Sequence, residues 1–180
     1  MAHMKTNIAL IGFMGTGKTS VAATLATRLG KSLVTLDSLI AHQAGKPIAQ
    51  IFAEEGELRF RELEIATIKE IACRQNLVID CGGGVVLNQI NMLRLRQTSL
   101  IVWLTASPAA IYQRLSQTDE IRPLLQGGDA LAKIQTLLKF RKPLYQAAAD
   151  WSLATARLSV SQVSDRIIER ITTDGTVNLA

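Results

Sequence analysis

The chain has 180 residues, 48% of them hydrophobic and 19% charged, with a net charge of +5 at neutral pH. That size suits one domain with a full core, and that balance excludes a disordered chain. The longest apolar stretches, such as residues 100–104, are far too short to span a bilayer, and no charged-then-apolar leader is seen, so a cytoplasmic protein is expected.

Residues 1–3 read as a cloning remnant ahead of a start at Met4. Short apolar runs at 8–11, 33–36, 77–79 and 100–104 predict buried strands, with a weaker fifth at 151–154. Between and after them, 20–29, 57–74, 88–96, 108–116, 129–149 and 161–171 have helical patterning. In the last of these, Val163, Ile167 and Ile171 share one face. Strands alternating with helices imply a parallel sheet covered on both sides, an α/β architecture in one domain. Pro143 is expected to bend or break the helix it falls in. Cys73 and Cys81 have no metal or disulfide spacing and are expected to be reduced thiols in the core. The polar end, residues 174–180, is expected to fray.

The first strand runs into Gly12-Phe13-Met14-Gly15-Thr16-Gly17-Lys18-Thr19, which fits G-x-x-x-x-G-K-[ST] at every fixed position. Glycines let the backbone curl so that N–H groups converge on phosphate oxygens, and the next helix aims its positive end at the same point. Lys18 can reach the β- and γ-phosphates, and the Thr19 hydroxyl can ligate Mg²⁺. A bound ATP or GTP follows. No N-K-x-D guanine reader is present and the chain is short for a motor, which leaves a kinase for a small acceptor.

Four further features surround the point where a γ-phosphate would lie. Asp37 closes the second strand, where it would either orient an acceptor hydroxyl and take its proton or cap the helix expected from Ser38. In GELRFRELE, residues 56–64, Arg61 and Glu64 are three apart: either a carboxylate-gripping arginine held by a glutamate or a solvated surface pair. In LVIDCGGGVV, residues 77–86, Asp80 and Gly82-Gly83-Gly84 follow a buried strand; three glycines suit close approach to a ligand, and Asp80 suits a Mg²⁺ partner. Residues 117–128, QTDEIRPLLQGG, read as a surface loop or as a lid hinged at Gly127-Gly128 and carrying Arg122, while Arg141 lies in the following helix. With only two Tyr, two Trp and four Phe and no basic–aromatic cluster, the basic charge suits an anionic small molecule better than nucleic acid.

Taken together, LIGFMGTGKTSVAATLA, IFAEEGELRFRELE, DCGGGVV, IRPLL and FRKPLY resemble the shikimate kinase family in order and spacing, over nearly the whole chain. The resemblance implies a three-layer P-loop NTPase fold like that of the nucleoside monophosphate kinases, with a five-stranded parallel sheet and a lid. It implies a single domain over 4–173, an acceptor segment at about 37–64 and a lid at about 117–128. The activity implied is transfer of the ATP γ-phosphoryl group to the 3-hydroxyl of shikimate, with Mg²⁺, by a monomer. Carried onto this sequence, it assigns nucleotide contacts to Gly15, Thr16, Gly17, Lys18, Thr19, Ser20, Arg114, Arg122 and Arg157. It assigns acceptor contacts to Asp37, Arg61, Gly83, Gly84 and Arg141, and catalysis to Lys18, Asp37 and Arg122. One departure stands out. The family carries D-x-D at the end of the second strand, whereas here Thr35 takes the first position, and Asp80 falls where many relatives have a small neutral residue. Asp80 is therefore expected to supply the charge for Mg²⁺, with Thr19, from the neighbouring strand. A gluconate-kinase-like activity and a nucleotide-binding regulator without transfer are the alternatives.

Overall fold

Asn7–Ile11, five consecutive buried residues, form β1 in the middle of the sheet. The structure, a computed structural model, describes residues 5–118, 123–125 and 127–178. The other strands are β2 (Ser32–Thr35), β3 (Leu77–Asp80), β4 (Ser99–Thr105) and β5 (Trp151–Ala154). All pairings are parallel, in the order β2-β3-β1-β4-β5. The helices are α1 (Lys18–Leu29), α2 (Leu36–Ala44), α3 (Ile48–Ile71), α4 (Gln89–Thr98), α5 (Pro108–Leu115), α6 (Ala130–Ala148) and α7 (Val160–Asp174).

Side chains of the inner strands β1, β3 and β4 alternate between two cores, which is why these strands are buried almost throughout, while the edge strands β2 and β5 are partly exposed. Ile8, Leu10, Val78 and Val102 pack with Val21 and Leu25 of α1 and with Val163 and Ile167 of α7. Ala9, Ile11, Ile79 and Trp103 pack on the other side with Ile40, Ile68, Leu95 and Tyr145. Each such fully buried aliphatic side chain contributes roughly 1.5–3 kcal/mol. The chain passes from β1 to β2 and β3 on one side, then crosses to β4 and β5 on the other. The order reverses at β1, and the crevice that opens at its carboxyl end is where ligands of such sheets bind.

Several elements depart from expectation. The helix expected from residue 57 begins at Ile48, because a kink at Gly56 (φ 81°, ψ 174°) joins two helical pieces. That backbone lies in a left-handed region open to glycine, so patterning alone stops short of it. α6 runs unbroken through Pro143. The carbonyl at Lys139 that loses its helical donor belongs to an exposed residue, while buried Arg141, Tyr145 and Ala148 hold the helix down beyond it. Cys73 is exposed and Cys81 buried, so one thiol of the two lies in the core. The end of the chain is docked rather than frayed as far as it is described. Val177 is 5% exposed and bridges to Lys5, and the Lys31 ammonium donates to the Asn178 carbonyl at 2.9 Å. Within 117–128, Pro123–Leu125 form a 3₁₀ turn and Gly127 and Gly128 both have positive φ. Leu125 packs against Phe13, Ile111 and Ile134. No helix among the described residues is long and apolar enough to cross a membrane.

Candidate active site

The loop after β1 is shaped by what surrounds it. A Cβ at Gly12 would lie 2.4 Å from the Leu104 carbonyl of β4, and Gly12 also has φ +145°, so no other residue fits. The loop carbonyls are engaged both from within the loop and from outside it. The Phe13 carbonyl accepts from the Thr16 hydroxyl (2.8 Å) and the Lys18 ammonium (3.0 Å). Arg114 donates to the Gly15 carbonyl at 3.1 Å, and the Thr155 hydroxyl donates to the Thr16 carbonyl at 3.0 Å. In a trans peptide the next N–H points the opposite way, so the Thr155 bond turns the Gly17 N–H away from Thr155. Gly17 caps α1 in a left-handed conformation with no side-chain cap, leaving the first-turn N–H groups of α1 to an anion. Lys18, Thr19, Ser20, Asp80 and Arg114 line a cavity of ≈ 500 Å³ at this point.

At its floor the Thr19 hydroxyl donates to Asp80 Oδ2 at 2.6 Å. Asp80 ends β3, and Thr35, at the end of β2, is its direct register partner. A carboxylate and a hydroxyl, both hard oxygen donors beside a phosphate cradle, fit Mg²⁺, which takes one or two protein ligands and completes its shell with phosphate and water.

A smaller cavity adjoins the first and shares Met14, Asp37, Gly82 and Gly83 with it. The three glycines after β3 serve three different close approaches. A Cβ at Gly82 would lie 2.8 Å from Asp37 Oδ1; at Gly83, 3.3 Å from the Met14 nitrogen; at Gly84, 2.4 Å from Arg61 Nη2. None of the three has positive φ. Sequence reasoning ascribed the run to ligand approach; the structure shows that side chains and the phosphate loop already occupy the space. Asp37 is the second residue of α2, two beyond its N-cap Thr35, so it is not the capping residue.

Arg61 and Glu64 are no solvated pair. Glu64 is fully buried and its Oε1 accepts from Arg61 Nη1 at 3.1 Å. Glu57 grips the same guanidinium from the other side, accepting from Nη2 at 2.8 Å. Burial pushes the Glu64 carboxyl up to about 7, with the Arg61 charge pulling it partly back. From α4, the fully buried Asn91 donates to Glu64 Oε2 at 3.3 Å. Arg141, 3% exposed, donates to the Gly83 carbonyl at 3.1 Å, and Phe13 lies under its guanidinium at 5.7 Å. Tyr145 donates to the same carbonyl and stacks on Trp103; burial raises its hydroxyl to about 12, so it stays a donor.

Most residues singled out in the sequence converge here. Asp37, Arg61, Gly83, Gly84 and Arg141 line the smaller cavity, and Gly15, Gly17, Lys18, Thr19, Ser20, Asp80 and Arg114 line the larger. Thr16 is the exception in the loop: its side chain folds back onto Phe13, and it faces away from the larger cavity. Arg157 is exposed and lines neither cavity. Arg122 lies outside the described residues. Sequence reasoning missed Thr155, Asn91 and Tyr145. Tyr145 ends the FRKPLY stretch, four residues after Arg141 and so on its helix face, which was a usable signal. Thr155 and Asn91 act across 139 and 27 residues of chain, and no local pattern marks them.

Residues 14–172 match the shikimate kinase family. The shikimate kinase of Thermodesulfovibrio yellowstonii is 45% identical over 163 residues, 91% of this chain and 93% of that relative. That of Symbiobacterium thermophilum is 42% identical over 166 residues, 92% of this chain and 95% of that one. Among solved structures, the shikimate kinase of Acinetobacter baumannii in complex with shikimate superposes with a TM-score of 0.90 at 34% identity, covering 94% of each chain.

Proposed function

We infer the activity from one premise: the chain belongs to the shikimate kinase family. It is an ATP- and Mg²⁺-dependent kinase that transfers the γ-phosphoryl group of ATP to the 3-hydroxyl of shikimate, giving shikimate 3-phosphate for aromatic amino acid (chorismate) biosynthesis. The observation that carries the reading at this chain's own residues is the pair of contiguous cavities, one beside the phosphate loop and one beside Arg61 and Arg141, that meet at Asp37.

Asp37 orients the attacking hydroxyl and takes its proton, a role its place in the shared wall supports. Arg61 and Arg141, with the Gly83 and Gly84 backbone, hold the acceptor ring and its carboxylate; the Glu64–Arg61–Glu57 clasp keeps one guanidinium aligned before the acceptor arrives. Lys18 lies against the loop and moves its charge onto the phosphates; Gly15, Thr16, Gly17 and Ser20 offer backbone N–H groups, Thr16 by backbone alone. Arg114 braces the loop and faces the base, and Arg157 is assigned to the same end of the nucleotide. Arg122 would bring lid charge onto the transferring group. The Thr19 hydroxyl and the Asp80 carboxylate would hold Mg²⁺, whose chemistry is neutralisation of phosphate charge. We place the enzyme in the cytoplasm as a monomer, with no nucleic-acid or membrane partner.

ADP release measured with shikimate, gluconate, a nucleoside monophosphate or no acceptor tests the reading. Shikimate alone is expected to stimulate release, and Asp37→Ala to abolish that stimulation while the fold is kept. Stimulation by gluconate in its place, or by no acceptor, overturns it.

A further inference from the structure

We propose that Asn91 is a positioning residue for the acceptor: through Glu64, its buried amide sets how Arg61 is presented to the acceptor carboxylate. The inference rests on the assignment of Arg61 above. It starts from an oddity of α4. Asn91 is fully buried and one half of its amide is used, Nδ2 donating to Glu64 Oε2, while Oδ1 has no partner. An apolar residue would pack there without stranding an acceptor, so packing alone does not account for an amide.

The carboxylate it touches has its two oxygens divided between two tasks. Oε1 accepts from Arg61 Nη1, and Oε2 accepts from Asn91. Glu64 also faces Asp37 from α2 and Arg141 and Tyr145 from α6, and Glu57 competes with it for Arg61 from one turn earlier in α3. In that setting an ionised Glu64 needs a neutral donor that adds no charge to the acceptor site, and the Asn91 N–H supplies it. If Glu64 takes up a proton, the same amide turned over presents Oδ1 to the new O–H. Asparagine therefore keeps Oε2 bonded in either state, and Oε1 stays where Arg61 meets it. Without the amide, the ionised form loses its second donor in a fully buried place. Glu64 then holds its proton to higher pH and Arg61 leans toward the exposed Glu57.

The experiment is calorimetric titration of shikimate across pH for the full chain, Asn91→Leu, Glu64→Gln and the double variant, with ADP titrated alongside. Asn91→Leu is expected to move the inflection in shikimate affinity upward by roughly one pH unit or more, leaving ADP affinity unchanged. In the Glu64→Gln background the same substitution should do nothing further. Asn91→Asp, nearly identical in shape, should also move the inflection upward, which covers the case of a Leu variant that fails to fold. An unmoved inflection in either variant, an equal loss in the Glu64→Gln background, or an ADP affinity falling in step would overturn the proposal. A parent chain that binds no shikimate at any pH would instead overturn the acceptor assignment itself.

Discussion

Gly84→Ala displaces Arg61, proposed to hold the acceptor, without altering its chemistry. The added methyl would sit 2.4 Å from Arg61 Nη2 and 2.5 Å from Nη1. Ordinary contact needs roughly 3.5 Å, so the guanidinium must retreat by about 1 Å. Gly84 has φ −103° and ψ 0°, a bridge-region conformation open to alanine, so the backbone adds little strain. The fold should absorb the change, because the obstructing atoms are the tip of a flexible side chain and Glu64, with a carboxyl near 7, can take a proton when Arg61 loosens. We expect a stability loss of about 1 kcal/mol, seen as a Tm lower by ~2–4 °C. Catalysis should suffer far more. A displacement of about 1 Å in a positioning group costs on the order of 10²-fold, about 2.7 kcal/mol of transition-state stabilisation. Steady-state rates with shikimate varied at saturating ATP, then the reverse, read this out. The fall should lie in kcat/KM for shikimate, with KM for ATP unchanged. Wild-type shikimate kinetics, or equal losses for both substrates, would refute the close approach of Arg61 to Gly84 as the reason for that glycine.

Asp80→Asn should raise the Mg²⁺ concentration needed for half-maximal rate by roughly tenfold, since one charge beside the dication is lost; an unchanged Mg²⁺ titration would remove Asp80 from the metal site. Thr155→Val deletes the hydroxyl bonded to the Thr16 carbonyl and should raise KM for ATP several-fold, for a loss of about 1 kcal/mol, with KM for shikimate constant. A change in shikimate KM alone would contradict it. Glu64 is neutral in folded and unfolded chain below pH 4.5, and as pH rises toward 7 the unfolded chain ionises first, so stability from this group is progressively lost. Urea unfolding should therefore show Glu64→Gln gaining on the parent by on the order of 2–3 kcal/mol between pH 4.5 and 8. A pH-independent difference would show that Glu64 ionises normally.

The phosphate loop was legible because every part of it is local: strand, glycines, lysine and helix follow in order, and the structure needs each where it stands. The inner strands β1, β3 and β4 were legible for the same reason, since burial on both faces makes a parallel strand a plain apolar run, whereas the edge strands β2 and β5 are partly exposed and β5 gave the weaker signal. What escaped was set by distant partners. Whether Glu64 is a surface residue or a buried one depends on α4 and α2 covering it, and the spacing of Arg61 and Glu64 is identical in both cases. The carbonyl clasp at Thr155 joins β5 to a loop at the other end of the sequence. The first turns of α3 escaped because Gly56 interrupts the periodicity that would have revealed them, and the helix expected from Ser38 begins two residues earlier, at Leu36. The triple glycine was read as a place where a ligand approaches; within the chain itself, Asp37, the Met14 backbone and Arg61 crowd the three positions, which no local pattern announces.

Gly83 stacks directly on the strap that begins at Met14, with 3.3 Å between where its Cβ would be and the Met14 nitrogen. Ligands proposed for the two adjoining cavities would share this wall, and their affinities are coupled to the extent that either one changes it. If filling the nucleotide side firms that wall, shikimate gains by some factor, and thermodynamic linkage obliges the nucleotide to gain by the same factor when shikimate is already seated.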